Sequence, residues 1–199
     1  MARYGAKHIF WAPIKDETEA ALPTYETALQ LAELRKVSDN PTFAEGKQYG
    51  DDGLAEYVNE FVEADVDVEI TDLPPEMEQS VLGAQTATVS DGALTRFGAN
   101  DTAPYGGLAF VSCIQRNNAK KYQVIFYPKL KAAMQGEEFT TKEGSITLAG
   151  GKLKFKAMAG KTGDWKLKSA YLPTEDAAKK YVTDLLSNKV QLPAAAAME

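Results

Sequence analysis

The stretch Asp65-Val66-Asp67-Val68-Glu69-Ile70 alternates acidic with apolar residues. Successive side chains of a β-strand point to opposite faces, so this pattern predicts a strand with one face in the core and carboxylates on the other. The strand pattern extends over residues 56–73, and Asp65, Asp67 and Glu69 are called the acidic face below. Period-two alternation also prevails elsewhere, whereas helical periodicity is confined to two short segments. We therefore predict a mainly β protein.

A second predicted strand carries the opposite charge. Lys152, Lys154 and Lys156 alternate with apolar residues, and these three lysines are called the basic face. Opposite charges attract one another between neighbouring strands and between subunits. The acidic and basic faces therefore either meet across a boundary between two copies of the chain or are solvent-exposed faces of one folded unit.

Charge is also divided unequally along the chain. The first hundred residues carry 7 Lys and Arg against 19 Asp and Glu, whereas residues 101–199 carry 15 against 9. If the two halves form different surfaces of one body, copies attract head to tail and build rings or filaments. If the halves interleave in the fold, their charges neutralise within the chain. The net charge of −6 opposes non-specific binding to nucleic acid.

Length and composition favour a single domain. A chain of 199 residues with 44% hydrophobic residues can bury a core, and we expect one domain over 1–190 and a flexible tail over 191–199. No apolar run is long enough for a membrane helix, and the first residues lack the apolar segment of a signal peptide, so we expect folding in a cytosol. Cys113 is the only cysteine, which excludes an internal disulfide, and its apolar neighbours favour core packing.

Two helices are predicted from their end signals. Pro74 and Pro75 suit the first turn of a short helix, and Gly83 is placed to end it after Leu82. A C-terminal helix is predicted over 174–187, because a threonine at its start caps the helix and two acidic residues follow in the first turn.

Three further strand regions are predicted. The run of residues 8–11 predicts a strand that Pro13 ends, because proline cannot donate to a ladder. Residues 108–115 and 121–127 predict a hairpin, since asparagines in the connection tolerate a tight turn. Residues 145–148 and 153–159 predict two strands on either side of a glycine turn.

Residues 36–53 are rich in Ser, Asn, Pro, Gly and Asp and show no sustained period. We predict a long loop there. Structureless connections of this length in compact domains are usually functional. The loop is therefore interpreted as an arm that orders against a neighbouring molecule.

The sequence predicts no catalytic, cofactor or metal site, and we expect no enzymatic activity. Residues 160–162 resemble the end of a phosphate-binding loop, but the first glycine of that motif would fall at Phe155. His8 is the only histidine and is expected to be structural. A binding module of a different class stays open as the alternative: a carbohydrate-binding β-sandwich with an aromatic platform of Trp11, Tyr49, Tyr105 and Trp165.

Several segments, taken in order, resemble the major tail proteins of long-tailed phages and prophages, the phi13-type tail-tube family. The segments are Tyr4-Gly5-Ala6-Lys7 through Trp11-Ala12-Pro13, Phe43-Ala44-Glu45-Gly46, Tyr49-Gly50-Asp51-Asp52, Val68-Glu69-Ile70-Thr71-Asp72-Leu73-Pro74 with Leu82-Gly83, Ala103-Pro104-Tyr105-Gly106-Gly107-Leu108, Lys129-Leu130-Lys131 and Thr141-Lys142-Glu143. Their order and spacing carry the resemblance, which covers most of the chain between residues 4 and 159.

The resemblance implies an antiparallel β-sandwich with a flanking helix, in a structural virion protein without cofactors. Copies would assemble into hexameric rings that stack as a hollow tube, through which DNA passes without specific binding. Tail-tip or baseplate, tail-terminator and tape-measure proteins would be the other partners. The implied location is the virion tail, assembled in the cytoplasm of a bacterial host. No membrane contact is implied.

Three groups of residues acquire expected roles from this resemblance. The acidic face would line the lumen or an inter-subunit contact, and the basic face would be an interface. The long loop would contact the adjacent ring through Phe43, Glu45, Tyr49, Asp51 and Asp52. A rival within the same structural class is the inner tube of a contractile tail or bacteriocin.

Overall fold

The computed structural model describes residues 2–51, 53–89, 92–116, 118–133 and 150–189. Of these residues, 59% lie in strands and 12% in helices. The elements are β1 Ala2–Asp16, β2 Thr24–Tyr25, β3 Leu29–Gln30, β4 Leu34–Gly50, β5 Gly53–Ile70, α1 Pro75–Leu82, β6 Gln85–Val89, β7 Gly92–Arg96, β8 Tyr105–Arg116, β9 Ala119–Ala133, β10 Gly151–Ala157, β11 Leu167–Lys168 and α2 Glu175–Leu186. The predicted mainly β class, with an antiparallel sheet and two helices, is therefore confirmed.

Within the described part of the chain, nine strands form one antiparallel sheet. Its order is β2-β1-β8-β9-β10-β5-β4, with β3 also paired to β1 and β11 to β9. Strands β6 and β7 form a separate hairpin. The predicted pairing of β8 with β9 is confirmed, and Asn118 in their connection adopts the left-handed conformation with φ 57°.

The sheet curls strongly around its core. Strands β1 and β10 are three places apart in the sheet, which would separate them by about 14 Å if the sheet were flat. Their side chains Trp11 and Phe155 nevertheless pack with ring centroids 5.3 Å apart. Strand β1 also contacts β4 at the end of the sheet. One face of the sheet thus encloses a core that includes Val66, Leu108 and Tyr127.

The three central strands β1, β8 and β9 are buried on both faces. Their alternate residues form a second core with α2, in which Phe10, Val111 and Phe126 pack against Val182 and Leu186. This arrangement explains why residues 108–114 are apolar without alternation, apart from the buried Ser112, since neither face of β8 meets solvent over this run. Cys113 is buried there, as predicted.

Both helices lie where their end signals predicted them. Helix α1 ends at Gly83, which has φ 74° and whose N–H donates to the Gln79 carbonyl oxygen at 3.1 Å. Helix α2 begins after Thr174, whose side-chain oxygen accepts a hydrogen bond from the Ala177 N–H at 3.2 Å.

The prediction of a structureless loop over 36–53 was wrong. Residues 34–50 form β4, which pairs with β5 from Leu34 opposite Ile70 to Gly50 opposite Gly53. Every residue of β4 beyond Asn40 is exposed. A two-stranded ribbon with solvent on both faces needs no alternation of polar and apolar residues, so its sequence carries no period.

One further prediction was wrong, and two others concern residues that the structure does not describe. Strand β1 continues through Pro13 to Asp16, because the Pro13 carbonyl still accepts a bond from the Glu26 N–H at 2.9 Å. The strand predicted over 145–148 and the tail over 191–199 lie outside the described residues.

Candidate assembly interface

A long hairpin projects from the sheet without covering any core. The segment 44–60 of β4 and β5 is called the arm, and every described residue in it is exposed. From Phe43 to Gly50 the paired strand spans about 25 Å. Phe43 at the arm base and Glu45, Tyr49 and Asp51 on the arm are four of the predicted inter-ring residues, and the fifth, Asp52, lies outside the described residues. The expected arm therefore exists as a β-hairpin rather than a loop.

Aromatic side chains fasten the base of the arm to the core. The Phe61 ring stacks on Trp165 with centroids 4.5 Å apart and planes 9° apart, and Phe43 meets Phe61 edge to face at 6.0 Å. Trp165 in turn lies 6.4 Å from the Tyr127 ring. Such pairs add about 0.5–1.5 kcal/mol beyond area burial, so the base is held even though the arm is not.

A polar cluster supports the same base. The Lys166 ammonium pairs with the Asp39 carboxylate and lies 5.4 Å from the centre of the Tyr127 ring. Burial raises the pKa of the Tyr127 phenol far above its ordinary range, and the neighbouring Asp39 carboxylate acts in the same direction. The phenol therefore stays protonated and able to donate a hydrogen bond at any physiological pH.

The arm presents both charge and apolar surface. Glu45 Oε2 lies 3.2 Å from Lys47 Nζ, which lies 5.8 Å from the Tyr57 ring, and hydrogen bonds from Lys47 and Tyr57 lower the pKa of Glu45. Tyr49 is 71% exposed and Leu54 54% exposed. A two-stranded hairpin is marginally stable alone in water, and this one also leaves apolar side chains in solvent.

The acidic and basic faces are neighbours in one sheet of one chain. Lys152, Lys154 and Lys156 of β10 stand directly opposite the acidic face of β5, in the order Glu69, Asp67 and Asp65. The charges of these two faces therefore largely neutralise one another within one chain, as expected if the two halves of the chain interleave in the fold. The picture of two separate single-sign surfaces was wrong, because adjacent antiparallel strands bring both patterns to the same side of the sheet.

The acidic face, the basic face and Glu63 are together called the mixed stripe below, and two of its lysines form ion pairs within it. Lys156 Nζ lies 2.5 Å from Glu63 Oε1 and 3.0 Å from Asp65 Oδ1, and Lys154 Nζ lies 3.6 Å from Asp65 Oδ2. The hydrogen bond from Lys156 lowers the pKa of Asp65, and the one to Glu63 raises the pKa of Lys156. These shifts favour the carboxylate form of Asp65 and the ammonium form of Lys156.

The four aromatic residues considered as a carbohydrate platform do not form one. Trp11 is fully buried, and its Nε1–H donates to the Ser80 carbonyl oxygen at 3.2 Å. Trp165 is stacked at the arm base, while Tyr49 and Tyr105 are exposed. A ligand in solvent cannot stack on Trp11, so the alternative loses its central residue.

His8 joins β1 to the start of α2. Its Nε2 lies 2.7 Å from Glu175 Oε1, and Lys7 Nζ lies 3.2 Å from the same carboxylate. His8 occupies a bulge of β1 with φ 51°. The contacts of Lys7 and His8 with Glu175 hold the start of helix α2 against strand β1.

No metal-binding group of three or more His, Cys, Asp or Glu side chains occurs among the described residues. In the same part of the chain, no helix is both long and apolar enough to span a membrane. In comparisons with known proteins, neither protein-family models nor curated proteins gave a match to this chain.

Proposed function

We propose that this chain is a structural tail-tube subunit that assembles with copies of itself into stacked hexameric rings around a channel for DNA. In this proposal each subunit is a β-sandwich of the tail-tube type, without catalytic activity. The observation that carries it is the arm: a fully exposed ribbon with apolar side chains, firmly anchored at its base. The inner tube of a contractile tail or bacteriocin belongs to the same structural class and uses the same physics.

Assembly would satisfy groups that the isolated chain leaves exposed. Among the described strands, β4 is the last of the sheet path, and sheet edges are templates for pairing with another chain. Burial of Tyr49, Leu54 and Tyr57 in a neighbour would supply the apolar contribution to affinity. The proposed site of action is the virion, after assembly in a bacterial cytoplasm.

The mixed stripe changes what is expected of a channel lining. A purely acidic lining repels DNA phosphates, but Lys154 and Lys156 stand between the carboxylates and weaken that repulsion. The acidic face remains a candidate for the lumen only together with these lysines. Tape-measure, tail-tip and terminator proteins are the proposed further partners.

The experiment that tests the proposal removes the arm alone. A variant in which Phe43 and Phe61, which stand opposite each other, are joined by an Asn-Gly turn keeps the aromatic base and loses 44–60. We expect negative-stain electron microscopy of the concentrated wild type to show rings or tubes and the variant to remain a folded monomer by circular dichroism and gel filtration. Tubes formed equally well without the arm would contradict this role for it. A wild type that stays monomeric even when seeded with tail tips would overturn the proposed function.

A further inference from the structure

A cleft with an apolar floor lies between the end of α1 and the segment that leads into β8. Leu82, Phe97, Ala103 and Ala132 supply its apolar walls, and its volume is about 260 Å³. A cavity of about 150 Å³ is enough to hold a benzene ring. The cleft is therefore large enough for one aromatic or aliphatic side chain.

The walls of this cleft are preformed. Gly83 approaches the Thr102 carbonyl so closely that a Cβ there would lie 2.6 Å from the oxygen. The Asp101 carboxylate accepts bonds from the Gly98 N–H at 2.6 Å and from Gln85 Nε2 at 3.4 Å. These contacts fix the segment 98–103 against α1 and β6, so little ordering is needed when a side chain enters.

The positive charge at the rim of the cleft favours the binding of an acidic segment. Lys131 lines the cleft and lies 5.2 Å from the Tyr105 ring, and it has no carboxylate partner among the described residues. Lys129 lies 5.4 Å from the same ring but is already paired with Glu17 at 2.7 Å. The oxygens of Asp101 are engaged by its own segment. Among the residues that the structure describes, the rim thus offers an ammonium without a carboxylate partner beside an exposed aromatic ring.

The tip of the arm has the complementary character. Tyr49 and Leu54 stand opposite each other next to the turn, with 71% and 54% of their surfaces exposed. Asp51 lies in that turn with φ 45°. Over 44–60 the sequence carries one lysine against five Asp and Glu, a net charge of −4.

We propose that the cleft beside Lys131 is the acceptor for the arm tip of a second copy of this chain. Tyr49 or Leu54 fills the apolar cleft while the carboxylates of the tip face Lys131. This assignment rests on the proposed function and specifies which surface of the neighbour receives the arm. Apolar burial supplies the affinity, and the charges set the register.

The test uses two single-cysteine variants in a Cys113→Ala background. One carries Gln48→Cys on the arm, exposed and next to Tyr49, and the other carries Thr102→Cys on the exposed rim of the cleft. After mixing under assembly conditions and mild oxidation, we expect a disulfide-linked dimer that contains one chain of each kind. Thr88→Cys, exposed on β6 and not in the cleft, is the matched control and should cross-link at least tenfold less.

A second pair of variants tests the charge. Lys131→Glu should reduce cross-linking about tenfold, and adding Asp51→Lys to the arm variant should restore it. Lys120→Glu, exposed near the start of β9, should leave cross-linking unchanged. Circular dichroism shows whether each variant is folded, and Lys131→Gln replaces Lys131→Glu if the reversal unfolds the chain.

Electron microscopy of the same mixtures separates the two proposals. Tubes with the cross-link support both the proposed function and the acceptor cleft. Tubes without the cross-link overturn the cleft and leave the function standing. Cross-linked dimers without rings support the cleft and argue against the tube, and the absence of both overturns both.

Discussion

At the residue scale, Glu17 ties three separate parts of the chain together. Its Oε2 accepts a bond from Lys129 Nζ at 2.7 Å, its Oε1 from the Lys161 N–H at 2.9 Å, and its carbonyl oxygen from Lys161 Nζ at 2.9 Å. The side chains of Glu17 and Lys129 are 13% and 21% exposed, so replacing Glu17 leaves a partly buried lysine without its partner. This single side chain therefore fixes the end of β1 to β9 and to the segment after β10.

Glu17→Gln should lower the free energy of unfolding by about 1–2 kcal/mol near neutral pH. Burial acts to raise the pKa of Glu17, but hydrogen bonds from Lys129 and Lys161 outweigh it and hold the pKa below its ordinary value of 4.5. A carboxyl with a depressed pKa stabilises the fold above its unfolded-state pKa and loses that contribution as the pH falls through its folded-state pKa. Urea unfolding of wild type and variant should differ fully above about pH 6 and converge in acid. A difference independent of pH would contradict this role.

Residue-scale signals with a local cause were read correctly from the sequence. The Thr174 cap and the Gly83 helix end depend on neighbouring residues only, and both are confirmed. Glu17 with Lys129 and Phe61 with Trp165 were missed, because each pair joins residues far apart in the chain. The pair Trp165-Lys166, an aromatic residue next to a lysine, was the available sequence signal for the arm base.

At the scale of elements, the junction after α1 shapes the proposed acceptor cleft. Gly83 ends the helix in the left-handed conformation and touches the Thr102 carbonyl. A side chain at this position meets two obstacles, the conformation and the contact. Gly163 has a similar φ of 85° but open space around it, so a substitution there measures the cost of the backbone conformation without the cost of the contact.

Gly83→Ala should cost about 3 kcal/mol, and Gly163→Ala about 1 kcal/mol, in the free energy of unfolding. Both variants place a Cβ on a left-handed backbone, which costs free energy. Only Gly83→Ala also forces the segment of Thr102 away from α1. Chemical denaturation measures the two costs. Equal costs would show that the close approach of Gly83 to Thr102 stores no energy. In assembling samples, Gly83→Ala should also weaken cross-linking at the cleft.

Strand β4 shows what patterning can and cannot predict for an element. The acidic face predicted β5 correctly, since one side of that strand is buried and the other is not. The partner strand β4 has no buried side beyond Pro41. Its residues therefore do not alternate between polar and apolar, and the sequence predicted a loop there. Its pairing follows from the register with β5, which a single segment of sequence does not contain.

At the scale of the whole molecule, charge is balanced inside the sheet rather than between its two halves. The acidic first half and the basic second half interleave, because β5 pairs with β10. The stripe of Asp65, Lys154 and Lys156 is a product of that topology. Charge asymmetry along the chain is therefore weak evidence for attraction between copies, and the arm is the stronger evidence.

Reversal of the basic face should disturb folding before it disturbs assembly. Lys154→Glu with Lys156→Glu places like charges beside Glu63 and Asp65, and we expect the midpoint of thermal unfolding to fall by several degrees. Adding Glu63→Lys and Asp65→Lys should restore it by exchanging the signs. Thermal melts followed by circular dichroism measure both variants. An unchanged midpoint with lost assembly would instead place these lysines at a contact between copies.

The overall class was predictable, whereas the curvature of the sheet was not. Alternation along single segments predicts strands, but the contact of Trp11 with Phe155 joins strands three places apart. Only the assembled sheet brings them together. The candidate site was predictable only in part: the arm predicted over 36–53 overlaps the observed arm in residues 44–53, whereas its hairpin form and its anchor depend on tertiary contacts.

The placement of the two tryptophans has a practical consequence. Trp11 is sealed in the core, whereas Trp165 is half-buried against Phe61 at the root of the arm. Any event that changes the conformation or the solvent exposure of the arm base alters the environment of the Trp165 indole and leaves that of the Trp11 indole unchanged. The molecule thus carries a built-in fluorescent reporter with an internal reference, so the docking of the arm can be timed by stopped-flow emission without attaching a dye.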